Sequence, residues 1–209
     1  RAVFGKHPWS IGGGGVSDLL ESIEQVGGKR LSEVTKVIGR TTHTGEDNVF
    51  SVSLGWVKRN NVVGSTIPLV EGEHVRDYIL VTKVEAIFPY DQTSASVRDH
   101  LPERIWRHFW LYRRLLKERT DFGNYIEDRG LRWYEHSMFF PERFLRPQGI
   151  AFADIATHNH FVLDRGGKVF NRTAPVIKLP AGASEDEHLG LLGLLNSSVA
   201  CFWLQQVCH

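Results

Sequence analysis

The sequence has little cysteine, no long apolar run and almost no net charge. Only two of its 209 residues are cysteine, Cys201 and Cys208, close together near the end. They are too few and too local for a disulfide framework, and they fit a reducing cytoplasm. No apolar stretch approaches the roughly 20 residues that span a bilayer, so no transmembrane helix is expected. No basic segment leads into an apolar one at the start, so no secretory signal is expected either. The chain begins at Arg1 without a methionine and stops at His209 just after an apolar stretch, and both ends read as cuts in a longer protein.

What is present is an ordinary globular composition, 42% hydrophobic and 23% charged. The net charge of +1 hides an asymmetry. Residues 98–146 hold 11 basic against 8 acidic side chains, while residues 1–97 hold 10 against 11 and residues 147–209 hold 4 against 5. The central stretch is therefore the one net-positive part of the chain, and it is rich in arginine. That is a modest footprint for a phosphate backbone.

Gly12–Gly15 is a flexible joint or a close-packed turn, after the irregular Phe4–Trp9. Ser17 is placed to cap a helix bearing Leu19, Leu20, Ile23 and Val26, ended by Gly27. A second helical pattern, Leu31, Val34, Val37 and Ile38, ends at Gly39. Alternation over 49–54 predicts a half-buried strand, and 67–70, 78–84 and 86–88 are further strand-like pieces. The strongest helix pattern covers 102–119, with Pro102 in its first turn and Asp99 as a possible cap. Ile105, Phe109, Tyr112 and Leu116 make its apolar face, widened by Trp106 and Leu115. Its arginines are either a solvated face or phosphate contacts. Residues 131–135, 149–152, 161–164 and 176–179 are strand-like, and a strongly apolar helix covers 187–207. The expected fold class is α+β, a twisted mixed sheet flanked by the 102–119 helix and the closing helix.

Catalytic constellations are missing. Gly12–Gly15 follows no buried strand and so is not a cofactor loop. Phe88-Pro89-Tyr90-Asp91 suggests a bend after a strand. His158 and His160 stand two apart, a spacing that on a strand would give them one face, but no paired motif supplies further metal ligands. A polar loop or a DNA contact is the alternative there. Cys201 sits within an apolar helix pattern, as a structural thiol would.

The residues together carry a family resemblance. Leu31–Gly39 followed by Thr44-Gly-Glu-Asp-Asn-Val-Phe50 resembles the opening of target-recognition domains in type I and type IIG restriction–modification enzymes. Pro68–Tyr78, the 102–119 helix with Trp133-Tyr134-Glu135, Phe161–Asp164 and Leu191–Ser197 are similar to the later blocks of the TaqI-like specificity domain, in the same order. His7–Gly15 resembles the region after the catalytic domain in PglX-type adenine methyltransferases of BREX phage-defence systems. The resemblance implies that residues 1–30 are a linker and helix after a methyltransferase domain, and that 31–209 form the recognition domain. No cofactor is expected in this chain. S-adenosylmethionine and the Asn/Asp-Pro-Pro-aromatic motif that holds a flipped adenine are expected in the separate catalytic domain. The resemblance implies double-stranded DNA as partner, with other defence proteins as further candidates, no membrane, and a bacterial cytoplasm at the nucleoid.

Under that reading, candidate DNA contacts come from four polar sets. Thr44, Glu46, Asp47 and Asn48 form the first loop, which is equally well a turn before a strand. Lys58, Arg59, Asn60 and Asn61 form the second. Arg143 and Arg146 make the third, and His158, Asn159 and His160 the fourth. Trp133 and Tyr134 are placed in the core in preference to base stacking. A module that docks other defence components through the closing helix is the competing reading.

Overall fold

The computed structural model describes residues 15–76 and 78–207. The fold is α+β, as expected, but it holds two four-stranded sheets in place of one. Helix α1 (Val16–Val26) is capped by Gly15 at φ 83°, not by Ser17, and buries none of its residues. The Gly12–Gly14 part of the glycine run, the 4–9 segment and Cys208 lie outside the described residues. Helix α2 (Leu31–Val34) is a single turn. The helix expected through Ile38 gives way to strand β1 (Val37–Gly39), because that segment pairs with a distant strand. Local helical spacing is overridden there by tertiary pairing.

Strand β2 (Thr42–His43) precedes the short helix α3 (Asp47–Phe50). The strand expected over 49–54 shrinks to β3 (Ser51–Ser53), since the Glu46 carbonyl accepts from both Val49 and Phe50 N–H and winds them into a turn. Ser53 then N-caps helix α4 (Leu54–Asn60), its hydroxyl accepting from Trp56 N–H at 3.2 Å. Next come β4 (Thr66–Val70), β5 (Val75–Arg76), β6 (Ile79–Leu80) and β7 (Val84–Ile87). The helix expected over 102–119 is two helices, α5 (Glu103–Leu111) and α6 (Arg113–Lys117), hinged at Tyr112. Pro102 is the N-cap residue itself, and Asp99 is drawn away to Arg132. The short hairpin β8 (Thr120–Asp121) and β9 (Asn124–Tyr125) follows. Residues 131–135 form no strand. Glu135 folds back so that its carboxylate accepts from Arg132 N–H at 2.7 Å.

The remaining elements are β10 (Met138–Phe139), α7 (Pro141–Phe144), β11 (Gly149–Phe152), β12 (Phe161–Asp164), β13 (Val169–Phe170), β14 (Val176–Lys178), α8 (Glu185–Leu195) and α9 (Ser198–Val207). Ser184 and Glu187 form a capping box that starts α8. The closing helix is broken at Asn196. Its side-chain amide exchanges hydrogen bonds with the Phe161 backbone, at 3.1 and 2.9 Å, and so adds a rung to the edge of β12.

One sheet has the order β1-β14-β11-β12 and is antiparallel throughout. The other has the order β13-β4-β7-β3, with β13 parallel to β4. Val70 and Phe170 from the second sheet share a buried cluster with Ala151, Val162 and Val176 of the first. Each sheet also has its own helical cover. Ile105, Phe109 and Leu116 pack with Val49, Phe50, Val52, Val57 and Ile87 on one. Leu191, Leu192, Leu195 and Leu204 pack with Ile150, Phe161 and Ile177 on the other. Among the described residues no helix is long and apolar enough to cross a membrane.

Candidate nucleic-acid interface

The Thr44–Asn48 loop is the most tightly held of the four predicted sets. Thr44 faces inward: its hydroxyl donates to the Asp47 carboxylate and its carbonyl accepts from Arg119. Gly45 sits at φ 76°, and a Cβ there would fall 2.0 Å from the Ser137 hydroxyl, so the chain needs glycine both for conformation and for close approach. Glu46 is half-buried, and Asp47 and Asn48 are exposed. The loop therefore presents Asp47 and Asn48 outward while Thr44 anchors it.

A buried polar network beneath the loop explains this rigidity. Arg119 is almost wholly buried, with its guanidinium donating to the carbonyls of Leu116, Thr44, Trp133 and Glu135. Burial pulls its pKa down to about 10, partly offset by Tyr90, Glu46 and Glu135, and it stays charged at neutral pH. Burial likewise raises the Glu135 carboxyl and pushes the Tyr90 hydroxyl far up. His136 is fully enclosed. Its Nε2 lies 2.9 Å from the Ile87 carbonyl, so that nitrogen carries the proton, and Nδ1 accepts from the Thr42 hydroxyl at 2.5 Å. Trp133 and Tyr134 pack in or against the same cluster, as expected.

The second set was expected in a loop, but Lys58, Arg59 and Asn60 lie in α4, because Ser53 caps that helix ahead of them. The loop begins only at Asn61, which adopts a left-handed conformation with φ 51°. Asn60 returns its amide to the Trp56 carbonyl at 2.9 Å. Lys58 and Arg59 are exposed and have no ion pair among the described residues.

The third and fourth sets lie on other elements. Arg143 donates to the Arg40 carbonyl at 2.6 Å and stacks 4.2 Å from the Phe140 ring, and burial lowers its pKa. Arg146 donates to the Leu179 carbonyl at 2.9 Å. These two guanidiniums tie backbone segments together near the β1–β14 edge. Asn159 donates to the Leu195 carbonyl at 2.6 Å, which fixes its loop to the end of α8. His158 is exposed, and its ring centroid is 6.5 Å from that of His160, with no third ligand group gathered there among the described residues. The one gathering with metal-ligand spacing among those residues is Glu71, Glu73 and His74. There His74 Nδ1 already accepts from Glu71 N–H, and the Glu71 carboxylate from Asn171.

Sequence reasoning missed a groove between α4 and α5. It holds about 860 Å³ and is lined by Trp56 and Asn60 from α4 and by Arg104, Trp106, Arg107, His108, Trp110 and Leu111 from α5. His108 contacts the Val49 carbonyl at 2.8 Å, so α5 is pinned to the α3 turn that follows the Thr44–Asn48 loop. Helices α4 and α5 line the groove together, and the His108 bond ties α5 to the segment that follows the loop. The available signal was a tryptophan pair, Trp106 and Trp110, at i and i+4. The helical spacing puts Trp106 beside the apolar face, yet it stays 36% exposed, and Trp110 is 64% exposed.

The arginine-rich centre is less basic outward than its count suggests. Arg107, Arg114, Arg129 and Arg132 are paired with Glu103, Glu118, Asp121 and Asp99, and Arg119 is internal. Arg104 and Arg113 have no carboxylate partner among the described residues, Arg113 lying 4.8 Å from the Trp110 ring.

No family model matches the chain. In an alignment of 209 residues, which takes in 99% of this chain and 17% of the relative, the chain is 39% identical to the adenine-specific methyltransferase PglX of Streptomyces coelicolor. The chain therefore spans well under a fifth of the length of this curated relative.

Proposed function

We propose that this chain is the DNA target-recognition part of an adenine-specific methyltransferase of the PglX kind, acting in phage defence and reading the sequence that a separate catalytic domain methylates. The supporting observation is the 39% identity that runs over essentially the whole chain while covering only 17% of the methyltransferase. A segment of that extent without a glycine-rich cofactor loop or an adenine-holding motif fits recognition better than catalysis. S-adenosylmethionine would belong to the catalytic domain. Duplex DNA would meet the surface formed by Asp47, Asn48 and α4, where Asn48 suits an adenine edge, Asp47 suits a cytosine amino group, and Lys58 and Arg59 suit phosphates.

The test exchanges residues 44–48 in the full-length protein and maps methylated sites in genomic DNA. A changed motif supports the reading. An unchanged motif after exchange of this loop and substitution of Lys58 and Arg59 removes these residues from the readout.

A second reading, a module that docks other defence proteins, draws on α8 and α9, where Leu194 and Val199 are 62% and 52% exposed. Partners retained after nuclease treatment, with no duplex binding at low salt, would favour it.

A further inference from the structure

The α4–α5 groove is built unlike a surface for a paired duplex. Trp56, Trp106 and Trp110 all line it, and two of them are held in fixed orientation by other rings. Trp106 stacks on Trp133 with centroids 5.5 Å apart and planes 11° from parallel, while Trp56 meets His108 edge-on at 5.2 Å. Such indoles are preordered, so a planar ligand would lose little side-chain entropy on meeting them. Duplex DNA offers phosphates and base edges but no free base faces, whereas an unpaired strand offers both faces and phosphates.

The charge around the groove is complementary to that ligand. Arg104 lines the groove and has no partner among the described residues. Arg59 stands three residues after Trp56 on α4, on the flank of the same helical face, and is equally without an ion pair. Glu103, the carboxylate in the first turn of α5, is engaged by Arg107 at 2.6 Å and does not oppose an anion.

The geometry points to a single-stranded nucleic-acid site in this groove, with unstacked bases lying on Trp110 and Trp106 and phosphates held by Arg104 and Arg59. It extends the duplex-recognition reading on which it rests, since α5, which lines the groove, is bonded through His108 to the Val49 carbonyl next to Asn48, and the groove would take a strand freed from pairing. The groove is open and its lining is mainly apolar, and the arginines set among its indoles favour a planar anionic strand over a peptide.

The experiment measures fluorescence anisotropy of the full-length protein with labelled oligo(dT) of ~12 nucleotides, a length that spans one stacking groove. Parallel arms use a duplex of equal length and poly-glutamate. Trp110→Ala is expected to weaken oligo(dT) binding roughly tenfold, the loss of about one stacked base, and to leave the duplex arm unchanged. Trp110→Phe should restore most of the affinity, which separates stacking from misfolding. Arg104→Ala should flatten the salt dependence by about 0.7 in log–log slope, one phosphate of a single strand. Duplex binding without oligo(dT) binding overturns the groove site and leaves the recognition reading standing. Failure of both nucleic acids at low salt overturns both. Oligo(dT) binding insensitive to Trp110→Ala, or matched by poly-glutamate, also overturns the groove site.

Discussion

Acidification from about pH 7.5 to about pH 4 is expected to withdraw about 3 kcal/mol of stability through one ring, that of His136. The ring is fully buried, bonded through Nε2 to the Ile87 carbonyl and through Nδ1 to Thr42, and packed edge-on against Phe50 with centroids 5.0 Å apart. Burial lowers its pKa from 6.5 to about 4, with the Arg119 charge adding to the effect and the Ile87 carbonyl opposing it. An unfolded chain takes up its proton near 6.5, while the folded one refuses it until about 4. The contribution is therefore complete above 6.5, falls as the pH drops through that window at about 1.4 kcal/mol per pH unit, and is gone below about 4. Against a total stability on the order of 5–15 kcal/mol, that is a large share. Urea unfolding at a series of pH values gives the proton uptake directly. Other groups titrate in the same range, so the comparison is with His136→Gln, which keeps an N–H donor but cannot titrate. The variant should show about one proton less uptake on unfolding between pH 6.5 and 4. Imidazole nitrogen shifts in the folded protein supply the decisive check. A His136 titration near 6.5, or equal uptake in both proteins, would refute the reasoning.

Lys178 provides the alkaline counterpart. It is buried, donates to the carbonyls of Arg146 and Gln148 at 2.7 and 3.0 Å, and burial pulls its pKa from 10.5 down to about 8, partly countered by Asp164. The folded state sheds this proton first, so stability should rise by up to one proton's worth of slope between about pH 8 and 10.5, and Lys178→Met should abolish that rise. Gly45→Ala should lower stability by about 2 kcal/mol or more, since the methyl group meets Ser137 and the φ is positive, with Ser137→Gly recovering only the steric part in urea melts. Duplex binding should be strongly salt-dependent, and Lys58→Ala or Arg59→Ala should each reduce its log–log slope by about 0.9; slopes that do not move would place the phosphates elsewhere.

Where sequence and structure agree, the determinants are local. The apolar run at Phe161–Leu163 pairs with β11 alone, the run at Val176–Lys178 lies between β1 and β11, and Ser184 with Glu187 start α8 by their own hydrogen bonds. Where they part, the deciding contact is distant. Val37–Gly39 looks helical until Val176–Lys178 is placed beside it. The closing helix looks continuous until Asn196 finds the Phe161 backbone. Arg119 ends a row of solvated basic residues with nothing in its spacing to mark it as internal, because all four groups it satisfies are backbone carbonyls, three of them far along the chain or across a turn. The candidate site divides in the same way. Exposed Asp47 and Asn48 could be anticipated from a polar turn. The groove could not, because Trp56 is 50 residues from Trp106 in the chain and only the packing of α4 beside α5 brings them together.

The distribution of partners among the arginines bears on how such a surface would bind DNA in the proposed recognition role. Residues 98–146 carry an excess of three positive charges, but most of their guanidiniums are already committed to carboxylates or carbonyls. Among the described residues of α4, α5 and α6, the cations without a carboxylate partner are Lys58, Arg59, Arg104 and Arg113. Four phosphate contacts correspond to a salt slope near −3.6, about half that of proteins making six to ten such contacts. Under the proposed recognition role, a surface of that strength would hold DNA weakly and discriminate mainly through the few side chains that reach base edges. Weak, sequence-biased contact would be useful in a recognition module whose duplex is gripped elsewhere, since strong backbone affinity of its own would hold every site alike and blunt the readout.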